Sequence, residues 1–420
     1  LRTSSTISRP PEECLMPHSA RRIMNIVGAR PNMVKMAPLI AEMARHPGLH
    51  PILVHTGQHY DYAMSQAFFE QLRLPNPDYN LGVGSAPQHV QIAAIIRRFG
   101  DLIRSNRPDM VVVAGDVNST LACALVAAQE RIPLAHVESG LRSFDRTMPE
   151  EINRILTDAV SDLLFTTEES ANHNLTQEGI APARIHFVGN LMIDSLIGAL
   201  ELARRSPLSA QLGLAPHSYA VLTLHRPSNV DDVDQLTSTL SALLELAGRL
   251  PILFPAHPRT RARIAEARIH SVRCWTQGRI AEPGLWMMPP ASYLDFLGIV
   301  EQSALVITDS GGIQEETTWL GIPCLTFRDS TERPATVSMG SNQVVGTDPR
   351  RLLHVALQIL ENGPTLGRLA PPSRPPLWDG AAAPRIVEVL REYEWPSVPS
   401  GQTTADLSRV AALSFVENKM

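Results

Sequence analysis

The sequence predicts an α/β protein made of two doubly wound domains facing each other across a cleft. Three observations point to it. Short apolar runs alternate with helical segments along most of the chain, the pattern of parallel strands covered on both faces. The stretch from Arg204 to Ser218, with Pro207 and Pro216, breaks that alternation and separates two halves. Each polar cluster follows the carboxyl end of an apolar run, where open α/β sheets place their ligands.

At 420 residues and 44% hydrophobic, the chain is large enough for two cores. A formal net charge of −5 gives no electrostatic case for nucleic acid or an anionic membrane. No apolar run approaches the roughly 20 residues of a membrane span. Residues 1–22 hold Arg, Pro and Ser but no apolar h-region, and read as a disordered leader rather than a secretory signal. Cys14, Cys123, Cys274 and Cys324 are scattered without a Cys-x-x-Cys pair. That predicts reduced thiols in a cytoplasmic protein, with no disulfide frame and no zinc site.

Taken in order, Ile23 to Val27 is a strand ending in Gly28-Ala29-Arg30-Pro31-Asn32. A helix from Met33 to Arg45 follows, with Lys35 in its first turn. No Gly-x-Gly-x-x-Gly is present, so a dinucleotide site is not indicated. Pro51 to Val54 is the next strand, leading into Thr56-Gly57-Gln58-His59-Tyr60 and a helix to Leu72. Gln88 to Ile103 is an amphipathic helix. Val111 to Asp116 is a buried strand with a carboxylate at its end. After the helix from Asn118 to Gln129, the strand Leu134 to Glu138 ends in a second acid. A loop with Arg142 and Arg146 then reaches Pro149-Glu150-Glu151, where proline and acids suit a first helical turn. Leu163 to Thr167 and Ile185 to Gly189, each followed by a helix, complete a first domain expected at 23–204.

The second domain is expected at 205–363. Its strands are Tyr219 to His225, Ile252 to His257, Trp286 to Met288, Leu305 to Ile307 and Cys324 to Phe327, and Val344-Val345-Gly346 precedes its last helix. Its helices run from Val233 to Leu250, Thr260 to Ala267, Tyr293 to Gln302 and Pro349 to Glu361. Proline from Pro364 to Pro376 excludes regular structure, and Ala381 to Tyr393 is a last helix. Residues 364–395 thus form a linker and helix able to pack back on the first domain, and 396–420 read as tail.

The chain is organised around Thr308-Asp309-Ser310-Gly311-Gly312-Ile313-Gln314-Glu315-Glu316. It follows a strand and opens a helix that Gly321 stops. The first N–H groups of such a helix lack intrahelical partners, and the dipole adds positive charge, so the place suits phosphate. Two glycines let a ligand approach the backbone, and Glu316 lies about one turn inside, within reach of sugar hydroxyls. These nine residues alone are equally compatible with an ordinary Ser-capped helix.

With these motifs in their order, the chain resembles the non-hydrolysing UDP-N-acetylglucosamine 2-epimerases from about Ile23 to Tyr393. The set is Gly-Ala-Arg-Pro-Asn with Lys35, Thr-Gly-Gln-His, Gly115-Asp116, His136-Val137-Glu138, Pro-Glu-Glu-Ile-Asn-Arg at 149–154, Leu224-His225-Arg226, the nine-residue stretch, and Thr331-Glu332-Arg333-Pro334. The resemblance implies a GT-B fold, a homodimer and reversible conversion of UDP-GlcNAc to UDP-ManNAc without metal or NAD. It also implies UDP-GlcNAc as an activator beside the active site. The sequence departs from the family at Ala29, Asn32 and Ser139, and reads His225-Arg226-Pro227-Ser228 where His-Arg-Arg-Glu is better known. The last difference leaves open a related sugar, oxidised or diacetamido.

Inverting C2 is hard because that C–H is not adjacent to a carbonyl, so the family route eliminates UDP to 2-acetamidoglucal and adds it back. By resemblance, Ser310, Gly311 and Gly312 take the phosphates and Glu316 the ribose. Arg30, Lys35 and Arg333 balance the diphosphate, and His225 stabilises the leaving group. Asp116, Glu138 and Glu150 are the acid–base candidates, with acid and base unassigned, and Gln58 and His59 are candidates for the effector site. The residues alone leave other roles open: Asp116 as a helix cap, Glu150 complementing a dipole, His136 in the core or just behind the site, Arg142 and Arg146 as cleft cations or solvated loop. A glycosyltransferase of the same architecture, a hydrolysing epimerase and a sugar-nucleotide sensor are the rival functions.

Overall fold

Runs such as Val111-Val112-Val113 and Leu305-Val306-Ile307 carry no polar side chain to present to water, and in the computed structural model all six residues are fully buried. The structure describes residues 20–58, 69, 71–361 and 374–395. His59, most of the expected leader, the stretch 362–373 and the tail lie outside the described residues.

In the first half, β1 (Arg21–Val27), β2 (Leu49–His55), β3 (Tyr79–Asn80), β4 (Met110–Ala114), β5 (Leu134–Ser139), β6 (Leu163–Thr166) and β7 (Ile185–Phe187) form a parallel sheet. Its order is β3-β2-β1-β4-β5-β6-β7. The second half repeats the plan with β8 (Ala220–Thr223), β9 (Ile252–Pro255), β10 (Arg273–Cys274), β11 (Leu285–Met288), β12 (Leu305–Thr308), β13 (Cys324–Thr326) and β14 (Asn342–Val344). These pair in parallel in the order β10-β11-β9-β8-β12-β13-β14. Strand order reverses between β1 and β4 in one sheet and between β8 and β12 in the other. The loops after those four strands therefore open the crevices where a ligand is expected.

Helices cover both faces through periodic apolar stripes. Gln88–Ser105 buries Gln91, Ile95, Phe99 and Ile103 at four-residue intervals. The helix Ala382–Glu392 crosses back from the second half and buries Ala382, Ala383, Ile386, Val387 and Leu390 in the core of the first. Full burial of an Ile, Val or Leu is worth about 1.5–3 kcal/mol each, well above any surface ion pair. The Asp194 carboxylate caps this helix, accepting from Ala382 N (3.2 Å) and Ala383 N (2.8 Å).

Several local expectations change. β1 begins at Arg21, inside the expected leader, because its N–H groups find partners at Gly48 and Asp109. The first helix begins at Arg30 rather than Met33, since Pro31 suits a first turn; Lys35 is thereby a turn further in, and buried. The interdomain stretch is not featureless: Pro207–Leu212 is a helix capped by Ser206 and stopped by Gly213 at φ 64°, with Leu212 buried in the second domain. The two-residue strands β3 and β10 are too short to show a pattern, and β14, at Asn342–Val344, is a further short strand just ahead of Val345-Gly346.

Candidate active site

A cleft of about 1200 Å³ lies between the two sheets, with walls from both. From the first domain come Arg30, Lys35, Gln58, Asp116 and Glu150; from the second come His225, Arg226, Ser310, Gly311, Gly312, Glu316 and Arg333. The sequence candidates among the described residues are thus brought together around one space, with one exception. Glu138 is not on the wall but beneath it, buried, ion-paired to Lys35 and to Arg333 Nη2 at 2.8 Å. Gln58, assigned to a neighbouring effector site, lines this same cleft, its Oε1 accepting from Ser119 Oγ at 2.8 Å.

Asp116 sits just past β4, where the chain turns through Gly115 at φ 65°. A Cβ on Gly115 would come within 3.0 Å of Lys35 Nζ, so glycine is needed for both the turn and the cation above it. Asp116 does not cap the helix Asn118–Gln129, whose N-cap is Val117. Its carboxylate pairs with Arg154 Nη1, and its carbonyl accepts from Asn153 Nδ2 at 2.8 Å. The helix Pro149–Val160 thus divides its motif by face. Glu150 is exposed to the cleft; Asn153 and Arg154 hold Asp116. Glu151 is buried, accepting from Ser143 N and Phe144 N (both 2.9 Å) and from Arg154 Nη2 (2.8 Å). Burial pushes the Glu151 carboxyl up, but the Ser143 and Arg154 contacts outweigh it and leave it below the usual range. Arg142 is no solvated loop residue: it is buried against Asp158 (2.7 Å) and Glu178 (2.6 Å), whereas Arg146 is exposed.

On the opposite wall the helix Gly311–Leu320 points its free N–H groups at the cleft, with Ser310 as N-cap. Gly311 has a reason beyond ligand approach: a Cβ there would fall 2.7 Å from Arg333 Cζ. The Arg333 guanidinium is engaged by three carboxylates, Glu332 (2.5 Å), Glu138 (2.8 Å) and Glu315 (2.9 Å). Burial pushes Glu332 up, and the Arg333 and Arg328 charges more than reverse it, so it remains ionised. Arg226 bonds the Asp309 carbonyl through Nε at 3.1 Å, while burial and then the Arg328 charge lower its pKa against the opposing pull of Glu332, Glu150 and Asp309.

His225 lies beyond β8 and gives Nδ1 to Asp309 Oδ1 at 2.7 Å, its side chain 53% exposed. Asp309 is buried and accepts also from His225 N (3.0 Å), Arg226 N (2.9 Å) and Asn229 Nδ2 (3.1 Å). Burial raises its carboxyl, yet these bonds, His225 first, hold it below the usual range. Sequence reasoning quoted Asp309 and Arg154 inside motifs without giving them work. The signal available was spacing alone: Glu151 and Arg154 at i, i+3 on one helix face.

Glu316 is buried and accepts from Tyr293 Oη at 3.3 Å, and burial pushes its carboxyl up to about 7. The folded chain therefore keeps a proton that the unfolded chain releases near 4.5. Stability from this group is full below about 4.5 and is lost as pH rises through about 7. Glu316→Gln should flatten that part of the melting temperature–pH curve; an unchanged slope there would contradict the buried carboxyl.

Residues 41–391 match the family model described as UDP-N-acetylglucosamine 2-epimerase. The chain belongs to the UDP-N-acetylglucosamine 2-epimerase family. This epimerase is 38% identical over 370 residues to the UDP-N-acetylglucosamine 2-epimerase of Methanocaldococcus jannaschii, covering 87% of this chain and 97% of that one. It is 41% identical over 329 residues to the UDP-2,3-diacetamido-2,3-dideoxy-D-glucuronate 2-epimerase of Pseudomonas aeruginosa, covering 77% and 88%. The crystal structure of the Methanocaldococcus jannaschii epimerase in complex with UDP-GlcNAc and UDP superposes with a TM-score of 0.79 at 37% identity, covering 88% and 99%. The two doubly wound domains are therefore the GT-B-like architecture of epimerases, and the chain is an isomerase. No helix among the described residues is long and apolar enough to cross a membrane.

Proposed function

We propose that this chain interconverts UDP-N-acetylglucosamine and UDP-N-acetylmannosamine by eliminating UDP to leave a 2-acetamidoglucal and re-adding UDP at C1 with a proton delivered to the other face of C2. The observation that carries this reading is the division of the cleft. One wall offers helix N–H groups at Ser310 to Gly312 and the His225–Asp309 pair; the other offers the carboxylates Asp116 and Glu150. The first wall suits a departing diphosphate, and the second suits proton transfer at C2.

In the forward step the C1–O bond breaks with its electron pair leaving on the UDP β-phosphate, and positive charge builds at C1. The helix N-terminus, Arg30, Arg226 and the His225 ring meet the developing phosphate charge. A carboxylate on the opposite wall takes the C2 proton, and the C2–H electrons form the C1–C2 double bond. Reversal with a proton delivered to the opposite face of C2, and phosphate oxygen re-bonding at C1, gives the epimer with no net change in atoms. Lys35 and Arg333 bring positive charge to the floor, where Glu138 holds them from beneath. Glu316 takes the ribose hydroxyls from its place beside Tyr293.

Incubation with UDP-N-acetylglucosamine alone in deuterated water tests this. Proton NMR should show loss of the C2 proton signal and growth of the manno epimer. Substrate recovered with its C2 proton intact would overturn it. The relative acting on a diacetamido uronate, together with the altered His225 to Ser228 segment, favours a second reading of the sugar only, with the same chemistry. Comparing kcat/KM on the two UDP-sugars separates them. The reading carries with it a homodimer and UDP-GlcNAc as an activator as well as a substrate. Sedimentation, and the shape of the velocity curve against UDP-GlcNAc, test those two parts.

A further inference from the structure

His136 is wholly buried in β5, two residues before Glu138, and both of its ring nitrogens face acceptors. Nε2 is 2.8 Å from the carbonyl oxygen of Gly115, the residue before Asp116. A carbonyl has no hydrogen to give, so Nε2 carries one. Nδ1 is 2.6 Å from Asp158 Oδ1. The other oxygen of Asp158 is 2.7 Å from Arg142 Nη1 and accepts from Gly140 N at 3.1 Å. Burial alone would raise the Asp158 carboxyl, but His136 first and Arg142 second hold it below the usual carboxylate range. Asp158 is thereby fixed on both oxygens, Oδ1 toward the ring and Oδ2 toward Arg142 and Gly140 N.

The ring therefore ties two turns that lie side by side at the carboxyl ends of adjacent strands. One turn passes through Gly115 (φ 65°) to Asp116; the other passes through Glu138 (φ 64°) to Gly140 (φ 78°). A non-glycine residue at positive φ, as at Glu138, is strained and persists only where surrounding contacts fix it. The Asp158 bond to Gly140 N and the Asn174 Nδ2 bond to Gly140 O (2.9 Å) supply two such contacts.

We propose that His136 is a positioning residue, held between Gly115 and Asp158, that sets the spacing of Asp116 relative to Glu138. The assignment rests on the roles given above to those two carboxylates, and no part of the ring reaches the substrate. Asp158 is a partner in the same device, because its two oxygens join the Nδ1 side of the ring to Gly140 N. A glutamine at 136 carries both of its donors on one nitrogen and cannot span the two acceptors as the ring does, so it would release one of the two turns. A misplacement of about 1 Å at reacting groups costs on the order of 100-fold in rate.

The test has two arms. In the wild-type protein labelled with ¹⁵N-histidine, the His136 ring should show a hydrogen on Nε2 bonded to the Gly115 carbonyl, and Asp158→Asn should shift the Nδ1 resonance. A wild-type His136 ring with no hydrogen on Nε2 overturns the proposal whether or not any variant folds. In kinetics, His136→Gln should lower kcat about 100-fold with KM and the Kd for UDP little changed. A kcat equal to wild type overturns it, as does an equal loss in kcat/KM that comes entirely from KM. If Asp116→Asn lowers turnover while His136→Gln leaves kcat at the wild-type value, this inference alone fails. If Asp116→Asn and Glu138→Gln both turn over normally, the reading of the site fails, and the NMR arm still reports the ring.

Discussion

Asp116→Asn is expected to lower turnover by about 10²- to 10⁴-fold, the range for loss of a positioned general acid or base. The substitution keeps the size of the side chain and a carbonyl oxygen for Arg154 Nη1, so the fold and the helix Pro149–Val160 should survive. The hydrogen-bonding partner of this carboxylate is Arg154 of its own domain, so the Kd for UDP measured by calorimetry should be nearly unchanged. Deuterium incorporation at C2 should fall in parallel with net epimerisation, because both pass through the same proton transfer. Turnover near wild type with normal UDP binding would remove Asp116 from the chemistry and leave Glu150 as the carboxylate on that wall.

Asp309→Asn is the second large effect. The Asp309 carboxylate accepts from the His225 ring and from three further donors, which an amide cannot match because one of its two terminal atoms is itself a donor. The His225 ring then loses its fixed orientation toward the cleft. Loss of one preorganised donor at a developing oxyanion costs roughly 10²- to 10³-fold in kcat. His225→Asn should give a loss of the same order, and the double variant should be scarcely worse than either single one, since the two residues act as a unit. Additive losses would show that Asp309 and His225 act separately. The depressed Asp309 carboxyl also contributes stability that is present above its usual value of 3.8 and lost as pH falls below it. The variant should therefore lose less stability than wild type on acidification.

Much of the architecture was legible because burial on both faces leaves a plain imprint. Val111-Val112-Val113 has no reading as an exposed segment, and the alternation of such runs with helices fixes a parallel sheet. The nine residues from Thr308 to Glu316 likewise show a strand, a glycine-bearing turn and a helix start, because each is a local preference of the backbone. Short elements escaped. β3 and β10 have two residues each, and the Pro207–Leu212 helix is marked by a proline that also suits a linker.

What the sequence determined by itself was the order of the elements, the family to which they belong and the motifs from which the cleft is built. Only the tertiary structure decided who partners whom. Arg333 looked like a cation for phosphate and is shared among Glu138, Glu315 and Glu332; Glu138 looked like a wall residue and lies beneath the wall. Asp309 and Arg154 gained their work from His225 and Asp116, 84 and 38 positions away in the chain. The physical reason is range. Backbone preference and burial act over a few residues and leave a periodic trace, whereas an ion pair depends on where two sheets bring distant side chains, and leaves none.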